Sequence, residues 1–215
     1  MNILVTTYYK SDNPRRQSEI DYCLHQNIGN PLIDVILLFS GVDIPSTSTK
    51  IKVVKQKNND RYYFSDIFNY IKSVSGDYPD AKFLLANSDI HFDGTLSELD
   101  RITLEGKGLF LTRQDNPKMQ VPMYNSQDVW IFTASSLTDV IVDESKFKMG
   151  IRGCDNKLAY VFEANGIHTY NPHESIYAIH IHQSQHRTYS NTEVVPPPYH
   201  YPINITIDEM VAKGL

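Results

Sequence analysis

An α/β fold, with a mostly parallel central sheet and helices on both faces, is what the order of apolar segments predicts. Three observations carry this reading. Short continuous apolar runs within residues 2–7, 32–39 and 83–86 read as strands buried on both faces, because a half-buried strand would alternate apolar with polar residues. Stretches of helical spacing lie between them, and alternation of strand and helix is the pattern of a parallel sheet. The third run stops in a cluster of polar side chains, and open α/β sheets take their ligands at the carboxyl ends of strands.

Residues 2–7 form the first expected strand, followed by Tyr8, Tyr9 and the turn-forming SDNP. Small hydroxyls and an aromatic at a strand end suit a nucleotide base; they suit a plain loop equally. A helix is expected from Pro14, with Asp12 or Asn13 as its cap and Ile20, Cys23, Leu24 and Ile28 at helical spacing, until Gly29 and Asn30 end it. Residues 32–39, with IDVILLF, make the second strand and 51–54 the third. Residues 60–73 carry Tyr63, Phe64, Ile67, Phe68 and Ile71 as a helical face, with Arg61 at the entrance. A cation there opposes the helix dipole, so another group should use it. A pyrophosphate or ribose is one choice; a surface salt bridge to Asp60 or Asp66 is the plainer one.

The organising stretch is KFLLANSDIHFD at 82–93, where Asn87, Ser88, Asp89 and His91 stand at the carboxyl end of the central strand. A hard carboxylate and an imidazole two residues apart can face Mn²⁺ or Mg²⁺ together. Asn87 and Asp89 equally suit the capping of a turn before a helix starting near Thr95. A short helix at 96–102 and a strand at 108–112 follow, ending at Arg113, Gln114 and Asp115. The Pro- and Asn-rich loop to Ser126 is expected to be mobile and to close on substrate. Ser126, Gln127 and Asp128 lead into a strand at 129–132.

MGIRGCDN at 149–156 opens a helix through Leu158, Val161 and Phe162, which Gly166 ends. Its two glycines let the backbone approach a ligand closely, and Asp155 lies in the first turn, where a carboxylate is favoured whether or not it does more. Strands are expected at 167–170 and 176–181. The last runs into His180, His182, His186 and Arg187, and strand alternation puts His180 and His182 on one face, close enough to share a ligand. PPPYHYP at 196–202 can neither pair as an inner strand nor form a helix, so an extended arm or linker is expected there, with a small helix at 208–212. The expected division is one domain over 1–190 and a Pro-rich arm over 191–215.

The bulk numbers fit one ordinary domain with a core of its own: 215 residues, 41% hydrophobic and 21% charged. A net charge of −5 argues against a nucleic acid held on a general basic surface. Cys23 and Cys154 form no CxxC pair, which removes thiolate metal sites and fits a reducing compartment. The chain opens on ILV without a basic-then-apolar leader, and no apolar run approaches the ~20 residues of a membrane span. A soluble, cytoplasmic protein is the expectation, and the Pro-rich end points to continuation in a larger multidomain chain.

Taken in order, these pieces resemble a GT-A-type nucleotide-sugar glycosyltransferase, and most closely the small glycosyltransferase domain of large viruses of green algae. The resemblance spans about residues 2–190. It rests on Thr6-Thr7-Tyr8 after strand one, Arg61 before FSDIF, ANSDIHFD, LTRQD, SQDVWIF, GCDN opening a helix, and HIHQSQHR. It implies a Rossmann-like nucleotide-binding half joined to an acceptor half, with a nucleotide-diphosphate sugar, a UDP-sugar by preference, as donor. The acceptor would be a glycan or glycoprotein. The family's DxD motif falls on Asn87-Ser88-Asp89, where an amide replaces the first acid. That leaves Mn²⁺ or Mg²⁺ to Asp89, joined by His182, His180 or His91. Nucleotide contacts are implied for Thr6, Thr7, Tyr8, Arg61, Asn87, Ser88, Arg113 and Arg152. Asp155 is implied as the base of an inverting transfer, with Asp128 second. Two other classes compete: a non-catalytic nucleotide- or sugar-binding module of the same fold, and a metal-dependent hydrolase using Asp89, His91, His180 and His182.

Overall fold

A computed structural model describes residues 1–44, 47–55, 61–115, 125–184 and 192–215. Asp60, His186, Arg187, most of the loop expected to close on substrate and the expected domain boundary at 190 lie outside the described residues. The strands are β1 (Asn2–Tyr8), β2 (Val35–Ser40), β3 (Ile51–Lys55), β4 (Lys82–Ala86), β5 (Ile90–Phe92), β6 (Lys107–Leu111), β7 (Arg113–Asp115), β8 (Val129–Thr133), β9 (His168–Asn171), β10 (Ala178–His180) and β11 (Ile203–Asn204). The α-helices are α1 (Pro14–Gly29), α2 (Phe64–Val74), α3 (Asp139–Glu144), α4 (Cys154–Ala164) and α5 (Ile207–Ala212).

Among the described residues, eight strands form the main sheet in the order β11-β9-β6-β8-β4-β1-β2-β3, and β5-β10-β7 form a smaller one. Only β8 runs antiparallel to its neighbours in the main sheet, β4 and β6. The other main-sheet pairs are parallel. The fold class expected from the sequence is therefore the one observed.

The unbroken apolar runs are explained by two cores, one on each face of the sheet. Ile3, Val5, Phe83, Leu85, Trp130 and Phe132 face the first core with α2, α3 and α4. Leu4, Leu84, Ala86, Val129 and Ile131 face the second, with α1, β5 and α5. Successive strand residues point to opposite faces, so every position is buried and no polar residue interrupts the run.

The differences from expectation are local. Arg113, Gln114 and Asp115 do not trail off β6: they pair with β10 as β7 of the small sheet. The helix expected near 96–102 is a 3₁₀ helix over Gly94–Arg101, capped by the Asp93 side chain. Asn13 caps α1, with Pro14 in its first turn, as expected. The extended arm adds β11 to the sheet edge, parallel to β9. Beyond it, Ile205, Ile207 and Met210 enter the second core. No helix among the described residues is long and apolar enough to cross a membrane.

Candidate active site

The site forms where β4 ends. Asn87, Ser88 and Asp89 turn the chain from β4 into β5, with Ile90 N–H donating to Asn87 O at 3.2 Å. The small sheet then sets the register. His180 on β10 stands opposite Ile90 on one side and opposite Asp115 on the other. Its ring consequently joins two carboxylates: Nε2 lies 3.0 Å from Asp89 Oδ2, and Nδ1 lies 2.5 Å from Asp115 Oδ1. His182 Nδ1 lies 3.3 Å from the same Asp89 oxygen. Asp89, His180 and His182 thus present three ligand atoms within 4.8 Å of one another.

Two charged residues that the sequence reading passed over complete this centre. Arg16 donates through Nη2 to Asp89 Oδ2 at 2.8 Å and through Nη1 to Glu19 Oε2 at 3.2 Å. Both side chains are less than a tenth exposed. They lie on the face of α1 that buries Ile20, Cys23, Leu24 and Asn27, so charges inside an apolar stripe were the available signal. Helix α1 is fastened to the site by Asn27, whose amide donates to Ile90 O (2.9 Å) and accepts from Phe92 N–H (3.1 Å). That pairing covers the exposed edge of β5, which would otherwise leave strand groups unsatisfied.

Burial alone would raise the Asp89 carboxyl, yet hydrogen bonds from His180 and His182 and the charges of His180 and Arg16 hold it well below the usual carboxylate range. For His180, burial disfavours the proton, but the Asp89 hydrogen bond and charge outweigh it and raise the ring above its ordinary value. The centre is a cluster of paired charges, with Arg16 and His180 set against Asp89, Glu19 and Asp115.

A second branch runs along the ends of β6 and β8. Arg113 donates to Asp128 Oδ2 at 2.9 Å and to Asp115 Oδ1 at 3.2 Å. Asn87 donates to Asp128 Oδ1 at 2.5 Å. Asp155, in the first turn of α4, accepts from Gln127 N–H at 3.1 Å. Its carboxyl is raised, by burial first and by the neighbouring Asp128 charge next, with backbone hydrogen bonds from Asn156 and Gln127 opposing.

The remaining expected residues are distributed as follows. Thr6 donates its hydroxyl to Ala86 O at 2.9 Å, tying β1 to β4, and Thr7 and Tyr8 end the same strand. Tyr8 donates to Asp21 at 2.7 Å. His91 stands outside the three-residue group, packed edge-on against Tyr22 at 5.6 Å between centroids. Arg61 donates to Gly150 O at 3.1 Å, and Arg152 is exposed and bridged to Val194. The two glycines read as admitting a ligand are approached by the chain itself. A Cβ on Gly150 would lie 2.6 Å from Arg61 Nη1, and one on Gly153 would lie 2.8 Å from the Tyr199 hydroxyl.

No protein-family model matches the sequence. No curated protein matches it either. Solved structures do. The catalytic domain of Drosophila β1,4-galactosyltransferase 7, crystallised with xylobiose, superposes with a TM-score of 0.56 at 12% identity, covering 98% of this chain and 79% of that one. A protein described as a nucleotide-diphospho-sugar transferase, from Desulfovibrio desulfuricans G20, gives 0.52 at 9% identity over 79% and 78%. The 2-C-methyl-D-erythritol 4-phosphate cytidylyltransferase of Francisella tularensis gives 0.51 at 14% identity over 86% and 95%. At these identities the likeness establishes the fold, a mixed α/β architecture of the GT-A and nucleotidyltransferase-like kind.

Proposed function

We propose that this chain is a glycosyltransferase that moves a sugar from a nucleotide-diphosphate sugar, by preference a UDP-sugar, to a glycan or glycoprotein acceptor with inversion, assisted by Mn²⁺ or Mg²⁺. The observation that carries the reading is the convergence of Asp89, His180 and His182 at the carboxyl end of β4, beside β1. Ligands of open α/β sheets bind in that crevice.

The donor set fits a divalent cation. One carboxylate oxygen and two imidazole nitrogens favour Mn²⁺ over the all-oxygen preference of Mg²⁺. Asp115 on the far nitrogen of His180 is the outer partner that metal-bound histidines usually have. His182 Nε2 is buried without a partner among the described residues, so Nδ1 is the nitrogen turned to the site. Such an ion would supply positive charge to the departing diphosphate.

The chain's own residues supply the rest. Thr6, Thr7, Tyr8, Asn87 and Ser88 stand at the ends of β1 and β4 for base and ribose contacts, and Arg113 is the cation on the β6 side. In the transfer, the bond from the anomeric carbon to the diphosphate breaks and its electron pair leaves with the diphosphate. A bond to the acceptor oxygen forms on the opposite face, and the acceptor proton passes to Asp155. A carboxylate whose pKa is raised is the better proton acceptor, which favours Asp155 over the Arg113-paired Asp128. A cytoplasmic setting goes with this reading, and the motif order extends it to the algal-virus group. Arg61 would have to release Gly150 O to reach a nucleotide, whereas Arg152 is exposed and its bridge to Val194 is made by the backbone.

One observation favours a second reading. The Arg16 guanidinium on Asp89 suits a nucleotide- or sugar-binding module that needs no metal. The hydrolase alternative loses its fourth ligand with His91 standing apart. Incubating the protein with UDP-sugars and Mn²⁺ tests the main reading. Release of UDP, falling about 10²–10⁴-fold in Asp155→Asn, is the expected outcome. An intact donor across the panel of UDP-, GDP- and CDP-sugars would support the binding module instead.

A further inference from the structure

This inference rests on reading Asp89, His180 and His182 as ligands of a divalent cation. Three nitrogens crowd Asp89 Oδ2, with Arg16 Nη2 the nearest at 2.8 Å. Arg16 is also tethered. Its Nη1 holds Glu19 at 3.2 Å, its Nε donates to the Tyr9 hydroxyl at 3.2 Å, and Glu19 is itself fixed by the N–H and hydroxyl of Ser184 at 2.6 and 2.8 Å.

Arg16 Nη1 lies 3.3 Å from His182 Nδ1 as well, and this contact conflicts with the one between His182 and Asp89. A guanidinium only donates, so toward Arg16 the nitrogen must offer a lone pair. An ionised carboxylate only accepts, so toward Asp89 the same nitrogen must carry a proton. One nitrogen cannot do both. Either a lone pair faces the carboxylate or an N–H faces the guanidinium. The other ring nitrogen gives no relief, being buried without a partner among the described residues.

We propose that Arg16 is a built-in counter-cation: it holds Asp89 in the metal-free protein, yields it when a divalent ion binds, and turns on its Glu19 tether toward the diphosphate of the donor. With an ion on Asp89 and His182, both atoms serve as lone-pair donors and the conflict ends. Repulsion between the ion and the guanidinium moves Arg16 off, while Glu19 keeps it near the only new anion, the diphosphate. Arg16 therefore competes with the metal before the donor arrives and joins it afterwards.

Metal affinity, measured with Mn²⁺ alone on the full chain by titration calorimetry or by the paramagnetic resonance of free Mn²⁺, tests this without any substrate. Arg16→Gln removes a charge-assisted hydrogen bond from Asp89, so Mn²⁺ should bind about ten- to a hundredfold more tightly than in the wild type. Arg16→Lys should tighten it too, because a single ammonium cannot span Glu19 and Asp89 as the guanidinium fork does. Arg16→Gln combined with Glu19→Gln leaves no buried charge unpaired between them, and serves if the single variant fails to fold. Unchanged or weaker binding in the Gln variants overturns the proposal. Tightening in Arg16→Gln with Lys behaving as wild type also overturns it, since that is a general charge effect. Failure of the metal reading is separate: no Mn²⁺ bound by any of the chains, or Asp89→Asn binding as the wild type does.

Discussion

Replacing Arg113 by methionine keeps most of the side-chain stem and deletes the cation between Asp128 and Asp115, which it contacts at 2.9 and 3.2 Å. The cost can be bracketed. Breaking a fully buried ion pair costs about 3–5 kcal/mol, and an exposed pair contributes about 0–1 kcal/mol. Arg113 is 27% exposed and Asp128 11%, so solvent screens part of the effect. A loss of about 1–3 kcal/mol is expected, partly offset because Asn87 still donates to Asp128. For a chain of this size that lowers the melting temperature by about 3–10 °C. Melting of wild type, Arg113→Met, Asp128→Asn and the double variant, followed by circular dichroism, gives the coupling directly. The two substitutions should be coupled by at least about 1 kcal/mol, because the double variant leaves no carboxylate without its cation at Asp128. Additivity within about 0.5 kcal/mol would refute the view that these side chains act as one unit.

Two further outcomes follow from the geometry. Asp155 has a folded pKa above its ordinary value of 3.8, so its contribution to stability is present below that value and is lost as pH rises through the folded pKa. The melting temperature of Asp155→Asn minus that of the wild type should therefore rise from pH 4 to pH 7; an unchanged or falling value would contradict the assigned environment. Gly153 has φ +81° with the Tyr199 hydroxyl and Val195 carbonyl over it, whereas Gly166 has φ +80° in open space. Gly166→Ala should cost about 1–2 kcal/mol for backbone strain alone, and Gly153→Ala about 1–3 kcal/mol more because the arm must shift. Equal urea midpoints for the two variants would show that the arm does not press on the start of α4.

The strands were legible because burial on both faces leaves continuous apolar runs. Along β2, Ile36 and Leu38 enter one core while Leu37 and Phe39 enter the other, and Phe83, Leu84, Leu85 and Ala86 of β4 are shared out in the same way. The pairing of His180 with His182 was legible from their spacing. His91 was misleading for a local reason: the chain turns between Asn87 and Ile90, so Asp89 and His91 do not share the face that a straight strand would give them. Arg16 and Glu19 looked like ordinary helix charges. Their burial depends on Asn27 fastening α1 across the edge of β5, a contact 63 residues distant in sequence. Asp115 became a partner of His180 through the register of β7 with β10, which no local pattern encodes.

The proposed function requires that the tip of β4 and the histidines at and just after the end of β10, His180 and His182, form one cation-dependent site for a nucleoside diphosphate. Thermal shift with UDP, GDP, CDP and ADP, each with and without Mn²⁺, on wild type and Asp89→Asn, tests it most directly. At about a hundredfold excess over the dissociation constant, ligand binding adds about 2.7 kcal/mol, or about 5–10 °C for a chain of this size. That shift is expected for UDP with Mn²⁺ in the wild type, together with its loss in Asp89→Asn. No shift with any nucleoside diphosphate, or the same shift in both proteins, would contradict it.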